Sequence, residues 1–320
     1  MKTFVVSSLL AITVAGSAAA ENWDMPMAYS ATNYHSEHGV IFAEKVKAAT
    51  NGEIDITVHP GGSLFGGGDI KRAIQTGQVP IGERLMSAHA NENALFAWDN
   101  LPFVATTYED NTKLWEAAKS TVNEALAEQN LVALYTCPWP GQGFYFGKEV
   151  NSSADIGGLK FRSYNAATAE IAEDLGMIPV QVEAAELSQA LATGVAEAFI
   201  SSGSTGYDRK VWEHLSHYYK VNAWLPRNYV MINKGVWDGL DSGTQAAIQS
   251  AADEAGAACT AKSEELAGWY FEQLEANGMS VVDAGPEFLS ELKSIGDAKV
   301  EAWLEKTGDA GQAVLDAYKE

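Results

Sequence analysis

The sequence predicts an α/β fold in two lobes, with one long helix running across both. Three observations carry this reading. The chain has 320 residues, enough for two domains of about 100–200 residues each. Helical and strand patterns alternate along it, which builds α/β units around a largely parallel sheet. And residues 242–277 keep an Ala- and Glu-rich helical pattern without an internal proline. At 1.5 Å per residue that helix is about 54 Å long, more than one small lobe can cover.

The elements follow in order. Residues 36–50 place Val40, Ile41, Ala43, Val46 and Ala49 at helical spacing, and Asn51-Gly52 ends the helix. Residues 53–58 alternate polar and apolar, as a half-buried strand does, and Pro60-Gly61-Gly62 turns the chain. Asp69 is the expected cap of a short helix over 69–76, closed by Gly77. Residues 79–82 read as a strand, 112–128 as a helix, and 131–137 as a buried strand. After the break at Pro140-Gly141, strands are expected at 144–146, 159–162, 177–182, 195–200 and 230–232. Helices are expected at 166–175 and 185–192, and 286–306 and 309–318 close the chain. No long linker separates the lobes, so the chain must cross between them more than once. The breaks at Trp139-Pro140-Gly141 and Leu225-Pro226 are the natural crossings. The expected lobes are 21–139 plus 228–267, and 140–227 plus 268–320.

Composition narrows the function. Acidic residues number 42 against 21 basic, for a net charge of -21. Such a surface repels phosphate backbones and anionic membranes, so nucleic acid is excluded as a partner. The two cysteines, Cys137 and Cys259, are too few for a disulfide scaffold or a Cys-based metal site. They read as two buried small apolar groups, and whether they pair is left open. At the N-terminus, Lys2 precedes an apolar run from Phe4 to Ala15, and Ala18-Ala19-Ala20 forms an A-x-A site. That is a secretory signal peptide, residues 1–20, cleaved after Ala20. The run is too short to span a bilayer, and no cysteine follows to carry a lipid anchor. The mature protein is expected to be exported, soluble and periplasmic.

Catalytic signatures are missing. Gly203-Ser204-Thr205-Gly206 lacks nucleophile-elbow spacing, Gly147-Lys148 is followed by Glu149, and Gly141-Gln142-Gly143 has no third glycine. Gly66-Gly67-Gly68 reads as a turn. The pairs His35/His38 and His214/His217 have i,i+3 spacing but no third ligand nearby, and read as surface or capping histidines. A binding protein without metal, cofactor or catalytic residues is therefore expected, rather than an enzyme. The five arginines are more informative: Arg72, Arg84, Arg162, Arg209 and Arg227. Arg84 and Arg162 follow or end strands, where open α/β sheets bind ligands. A guanidinium there can grip a carboxylate through two parallel bonds, or can form an internal salt bridge. Of the aromatics around the first crossing, Trp139 is the one expected to face a cleft.

The segment Gly158-Leu159-Lys160-Phe161-Arg162-Ser163-Tyr164-Asn165 resembles the GLKxR segment of a known family. Leu175-Gly176-Met177-Ile178-Pro179-Val180 and Glu186-Leu187-Ser188-Gln189-Ala190-Leu191 follow in the family's order, and Phe42-Ala43-Glu44-Lys45-Val46 precedes. The chain resembles, over essentially its mature length, the DctP-like solute-binding proteins of tripartite ATP-independent periplasmic (TRAP) transporters. The resemblance implies a two-lobed periplasmic-binding-protein architecture that closes over an organic acid. It also implies delivery of that acid to the small and large membrane subunits of a secondary transporter. It makes Arg162 the carboxylate clamp. The wider ligand set it suggests is Arg84, Gln142, Trp139, Ser201, Tyr29, Tyr34, Asn165 and Asn228. Relative to sialic-acid-binding members, Gln142 stands where a second ligand Arg falls, Ser201 and Ala28 where ligand Asn residues fall, and Glu197-Ala198 in place of Asp-Gly. Fewer charged partners imply a smaller acid. The competing readings are a binding protein of an ATP-driven system, a secreted hydrolase and a structural surface protein.

Overall fold

The computed structural model describes residues 20–320, so the expected signal peptide lies outside the described residues. The chain starts with β1 (Glu21–Pro26), α1 (Tyr34–Ala49) and β2 (Ile54–His59). It continues through α2 (Ile70–Gln75), β3 (Ile81–Leu85), α3 (Tyr108–Glu128) and β4 (Leu131–Pro138). Then come β5 (Gly143–Phe146), β6 (Lys160–Ser163), α4 (Ala166–Asp174), β7 (Ile178–Gln181) and α5 (Leu187–Ala192). After β8 (Ala198–Ser201) come α6 (Gly203–Asp208), β9 (His217–Lys220) and β10 (Arg227–Asn233). The last elements are α7 (Lys234–Gly239), α8 (Ser242–Ala276), β11 (Ser280–Asp283) and α9 (Pro286–Lys319).

Two sheets organise these elements. One has the order β3-β10-β4, with the parallel β1-β2 ribbon joined to β3 by a bridge from Met27 to Glu83. The other has six strands in the order β11-β9-β5-β8-β6-β7. Most strands run the same way, as expected, and one strand in each sheet is reversed. β10 runs antiparallel to both β3 and β4, and β5 runs antiparallel to both β8 and β9. The reversed strands are those that enter each sheet directly after a crossing between lobes. A chain arriving from the far side runs against strands that began on the near side. The predicted crossings at Trp139-Pro140-Gly141 and Leu225-Pro226 lie immediately before β5 and β10.

Caps hold most helix starts. Asn33 accepts from the His35 N–H at 2.9 Å, Thr107 from Asp110 at 3.1 Å, and Asp241 from Gly243 and Thr244. Asp69, expected as a cap, makes no capping bond, because a short 3-10 turn over Gly67–Asp69 leads into α2 instead, and α5 and α9 also start without a side-chain cap. α8 matches its predicted length and packs on α1 and β4 with its first half, and on α6 and β11 with its second. Small residues set the approach: a Cβ on Gly256 would lie 3.0 Å from the Cβ of Tyr135. The two closing helices are a single element broken at Gly308, whose φ of 57° and ψ of -137° are not helical.

Each sheet has its own core. Trp23, Phe42, Tyr135, Val230 and Ile248 pack on the first, and Tyr145, Phe199, Tyr218 and Leu274 on the second. The cysteines are buried as expected but are not separate: Cys137 on β4 and Cys259 on α8 form a disulfide. Spacing alone did not show that the long helix returns to lie on β4.

Candidate ligand-binding site

The ends of several strands converge on one small cavity. Its lining includes Arg84 and Leu85 from β3, Arg162 from β6 and Ser201 from β8. Trp139 and Gln142 come from the first crossing, and Pro226 from the second. Tyr29, Tyr164, Glu183, Ala184 and Thr205 complete the wall. Strands running toward the cavity present their carboxyl ends and the returning strands their amino ends, the usual ligand position in an open α/β sheet.

Arg162 is placed by local chemistry. β6 ends at Ser163, and Asn165 starts α4 with a reciprocal cap. Its Oδ1 accepts from the Thr168 N–H at 2.9 Å, and Thr168 Oγ1 accepts from the Asn165 N–H at 3.2 Å. The guanidinium is left at the cavity, 2% exposed. Its Nε donates to the Val182 carbonyl at 2.9 Å, and its carbon lies 5.3 Å from the Tyr164 ring centroid. Among the described residues, no carboxylate lies within ion-pair distance of it. Burial pulls its pKa down to about 10, which leaves it a cation at neutral pH.

Arg84, also expected in the ligand set, is held differently. It lines the wall, but its fork is filled by Glu183, with Nη1 to Oε2 at 3.1 Å and Nη2 to Oε1 at 2.9 Å. The internal salt bridge, left open by the sequence, is what the structure contains. Gln142 Nε2 donates to the Pro140 carbonyl at 2.9 Å, and its Oε1 accepts from Tyr164 at 3.4 Å. Trp224 Nε1 donates to the Tyr164 oxygen at 3.1 Å. Burial raises the pKa of both Tyr29 and Tyr164 above the usual tyrosine value, so both phenols are uncharged.

Tyr34, Asn165 and Asn228, expected in the same set, are not among the residues that line this cavity. Tyr34 donates to the Pro138 carbonyl at 2.7 Å, and Asn228 accepts from Trp139 Nε1 at 2.8 Å. These bonds fix the strand end and the indole that do face the ligand space. Asn165 Nδ2 reaches Ser87 and Asn100 across the cleft, each at 3.3 Å. His35 and His38 are not surface residues either. Both are buried on α1, and the His35 ring lies 4.2 Å from Trp139 and 4.3 Å from Tyr34. His35 is kept neutral by burial, although its Nδ1 is 3.1 Å from Glu83 in a poorly aligned contact. Tyr164 stood within the quoted GLKxR segment and signalled its own place. Glu183 carried no signal, being one of 42 acidic residues. Thr205 lay in a stretch read only for nucleophile spacing.

Comparison with known proteins gives a consistent result. The model of the bacterial extracellular solute-binding proteins, family 7 (DctP), matches residues 27–307. A solved TRAP solute-binding protein from an unidentified marine microbe is 75% identical. It aligns over 94% of this chain and 99% of its own length with a TM-score of 0.93, and is described as specific for pyroglutamate. DctP6 of Bordetella pertussis, described as binding pyroglutamic acid, is 41% identical over 93% of this chain and 99% of its own, with a TM-score of 0.91. The C4-dicarboxylate-binding periplasmic protein DctP of Rhodobacter capsulatus is 27% identical, over 67% of this chain and 65% of its own length.

Proposed function

Because the chain belongs to family 7 of the bacterial extracellular solute-binding proteins, we propose that its ligand is pyroglutamate, held by its carboxylate on Arg162. The protein is a TRAP-type solute-binding protein for a small organic acid. The observation that carries the ligand reading is the buried guanidinium of Arg162, which lines the cavity without an acid partner among the described residues. The 75% identity to a pyroglutamate-specific protein supports it. Pyroglutamate has one carboxylate for the clamp and a lactam whose N–H and C=O suit the uncharged polar groups of Ser201, Thr205, Gln142 and the two tyrosines.

In this reading the lobes, 21–139 plus 228–267 and 140–227 plus 268–320, close on the ligand and hand it to the small and large membrane subunits. The chain is exported, cleaved after Ala20, and performs no reaction of its own. No helix among the described residues is long and apolar enough to cross a membrane. Calorimetric titration of the mature protein with pyroglutamate tests the ligand. Saturable one-to-one binding is expected, with a melting temperature that rises as ligand increases. No heat and no shift at millimolar pyroglutamate would remove it. Mass spectrometry of protein from its native host should find an N-terminus at Glu21.

A further inference from the structure

We propose that Glu183 is a built-in second carboxylate, filling the fork of Arg84 so that the cavity accepts one ligand carboxylate and rejects dicarboxylates and zwitterions. The inference rests on the reading that Arg162 takes the ligand's carboxylate. Two buried guanidiniums face one small space, and of the two only Arg162 lacks an acid partner among the described residues. Both oxygens of Glu183 are engaged, one on each terminal nitrogen of Arg84. The pair is built into its surroundings. A Cβ on Gly67 would lie 2.7 Å from both Arg84 Nη1 and Glu183 Oε2, so the pair packs closely against the chain there. Val182, whose carbonyl orients Arg162, is the residue before Glu183, so one short segment sets the state of both cations.

The charge balance follows. Arg162 and Arg84 are positive and Glu183 is negative. Tyr29 and Tyr164 are uncharged. Glu83, which accepts from Asn228 at 2.8 Å, is not among the groups that line the cavity, so the lining itself carries two guanidiniums against one carboxylate. The wall can match one ligand anion. A second ligand carboxylate would have to displace Glu183 and leave two carboxylates around one fork. A ligand ammonium would meet two guanidiniums and no free carboxylate.

Calorimetry on the mature protein tests this with pyroglutamate, the five-carbon dicarboxylate glutarate, and proline, which has the same ring with a charged ammonium. Wild type should prefer pyroglutamate to both. Glu183→Ala frees Arg84 and should narrow the pyroglutamate-to-glutarate preference at least about tenfold, the scale of one charge-assisted contact. Arg84→Ala frees Glu183 and should narrow the pyroglutamate-to-proline preference similarly. The double variant has neither group and should reject both competitors again. Should Glu183→Ala not fold, Glu183→Gln removes the charge with the same shape and should move the same ratio. Preferences within about threefold of wild type in folded single variants would overturn the proposal. If wild type ignores pyroglutamate, the ligand reading fails by itself. Valerate against glutarate then poses the same one-versus-two-carboxylate comparison, with the same outcomes deciding it.

Discussion

Arg162 is a buried cation whose one side-chain hydrogen bond among the described residues runs from Nε to a backbone carbonyl. Burying a guanidinium without an acid costs free energy, so this residue weakens the closed protein until a carboxylate arrives. The sequence made it legible because arginine is rare here and this one ends a strand. Glu183 was illegible because acid is abundant and the partner lies 99 residues away. Two charge-assisted bonds in a dry cleft contribute roughly 3–5 kcal/mol, several hundredfold in affinity. Arg162→Ala should therefore lose that binding while melting no lower than wild type without ligand. Arg162→Lys keeps the charge, loses the fork and should bind nearly as poorly. Affinity within threefold of wild type in Arg162→Ala would sink the clamp. Asp99 offers a different test. It is buried, its Oδ2 accepts from the Arg227 N–H at 2.7 Å, and burial raises its pKa to about 7. The folded chain thus binds this proton more tightly than the unfolded chain, whose carboxyl titrates near 4. Its contribution to stability is greatest below pH 4 and declines as pH rises to about 7. Asp99→Asn keeps the acceptor and removes the titration. Its melting temperature relative to wild type should climb between pH 4 and 7 and then level off. A constant difference across that range would show that Asp99 titrates normally.

At the scale of elements, the buried and strongly periodic segments were readable. β10 is buried along its whole length and β4 along most of it, each around an apolar stretch, and α8 kept its pattern to within a residue of its predicted end. Strands β1, β9 and β11 and helices α6 and α7 were not read. Each is short, and its pattern has meaning only beside a neighbour. β11, for instance, is largely exposed and is a strand because it pairs with β9. The disulfide is also a long-range fact, joining residues 122 apart in sequence. It ties β4, whose end delivers Trp139 to the cavity, to the helix common to both lobes. Cross-links that close loops of this length contribute typically about 2–4 kcal/mol. The double variant Cys137→Ser/Cys259→Ser should be less stable by that order in denaturant titration. Its pyroglutamate affinity should fall far less than that of Arg162→Ala, because Asn228 still holds the Trp139 indole. Equal stability of the two proteins would mean that the cross-link is incidental.

Taken as a whole molecule, the two lobes are joined by several polar contacts, some of them beside the cavity. Arg84 pairs with Glu183, Asn165 reaches Ser87 and Asn100, and Asn33 donates to Asp208 at 2.6 Å and to Ser204 at 3.3 Å. Two of these contacts carry a cost of their own. Arg84 Nε is buried without a partner, and burial raises the pKa of Asp208 to about 6. Arg162 adds the largest cost, a desolvated cation that closure seals in. Without ligand these terms oppose closure, and the crossings beside Pro140 and Pro226 leave the lobes free to swing apart. A bound carboxylate cancels the Arg162 term and adds its own bonds, so it binds the closed form better than the open one. A ligand moves a conformational equilibrium only by that difference in affinity. Small-angle scattering should accordingly find a smaller radius of gyration in saturating pyroglutamate than without it. Arg162→Ala removes both the cost and the ligand's preference. That variant should be more closed than wild type without ligand, and pyroglutamate should leave its radius unchanged. If wild type keeps one radius under both conditions, closure is not coupled to the Arg162 carboxylate contact. If Arg162→Ala is as open as unliganded wild type, the buried cation is not what holds the lobes apart.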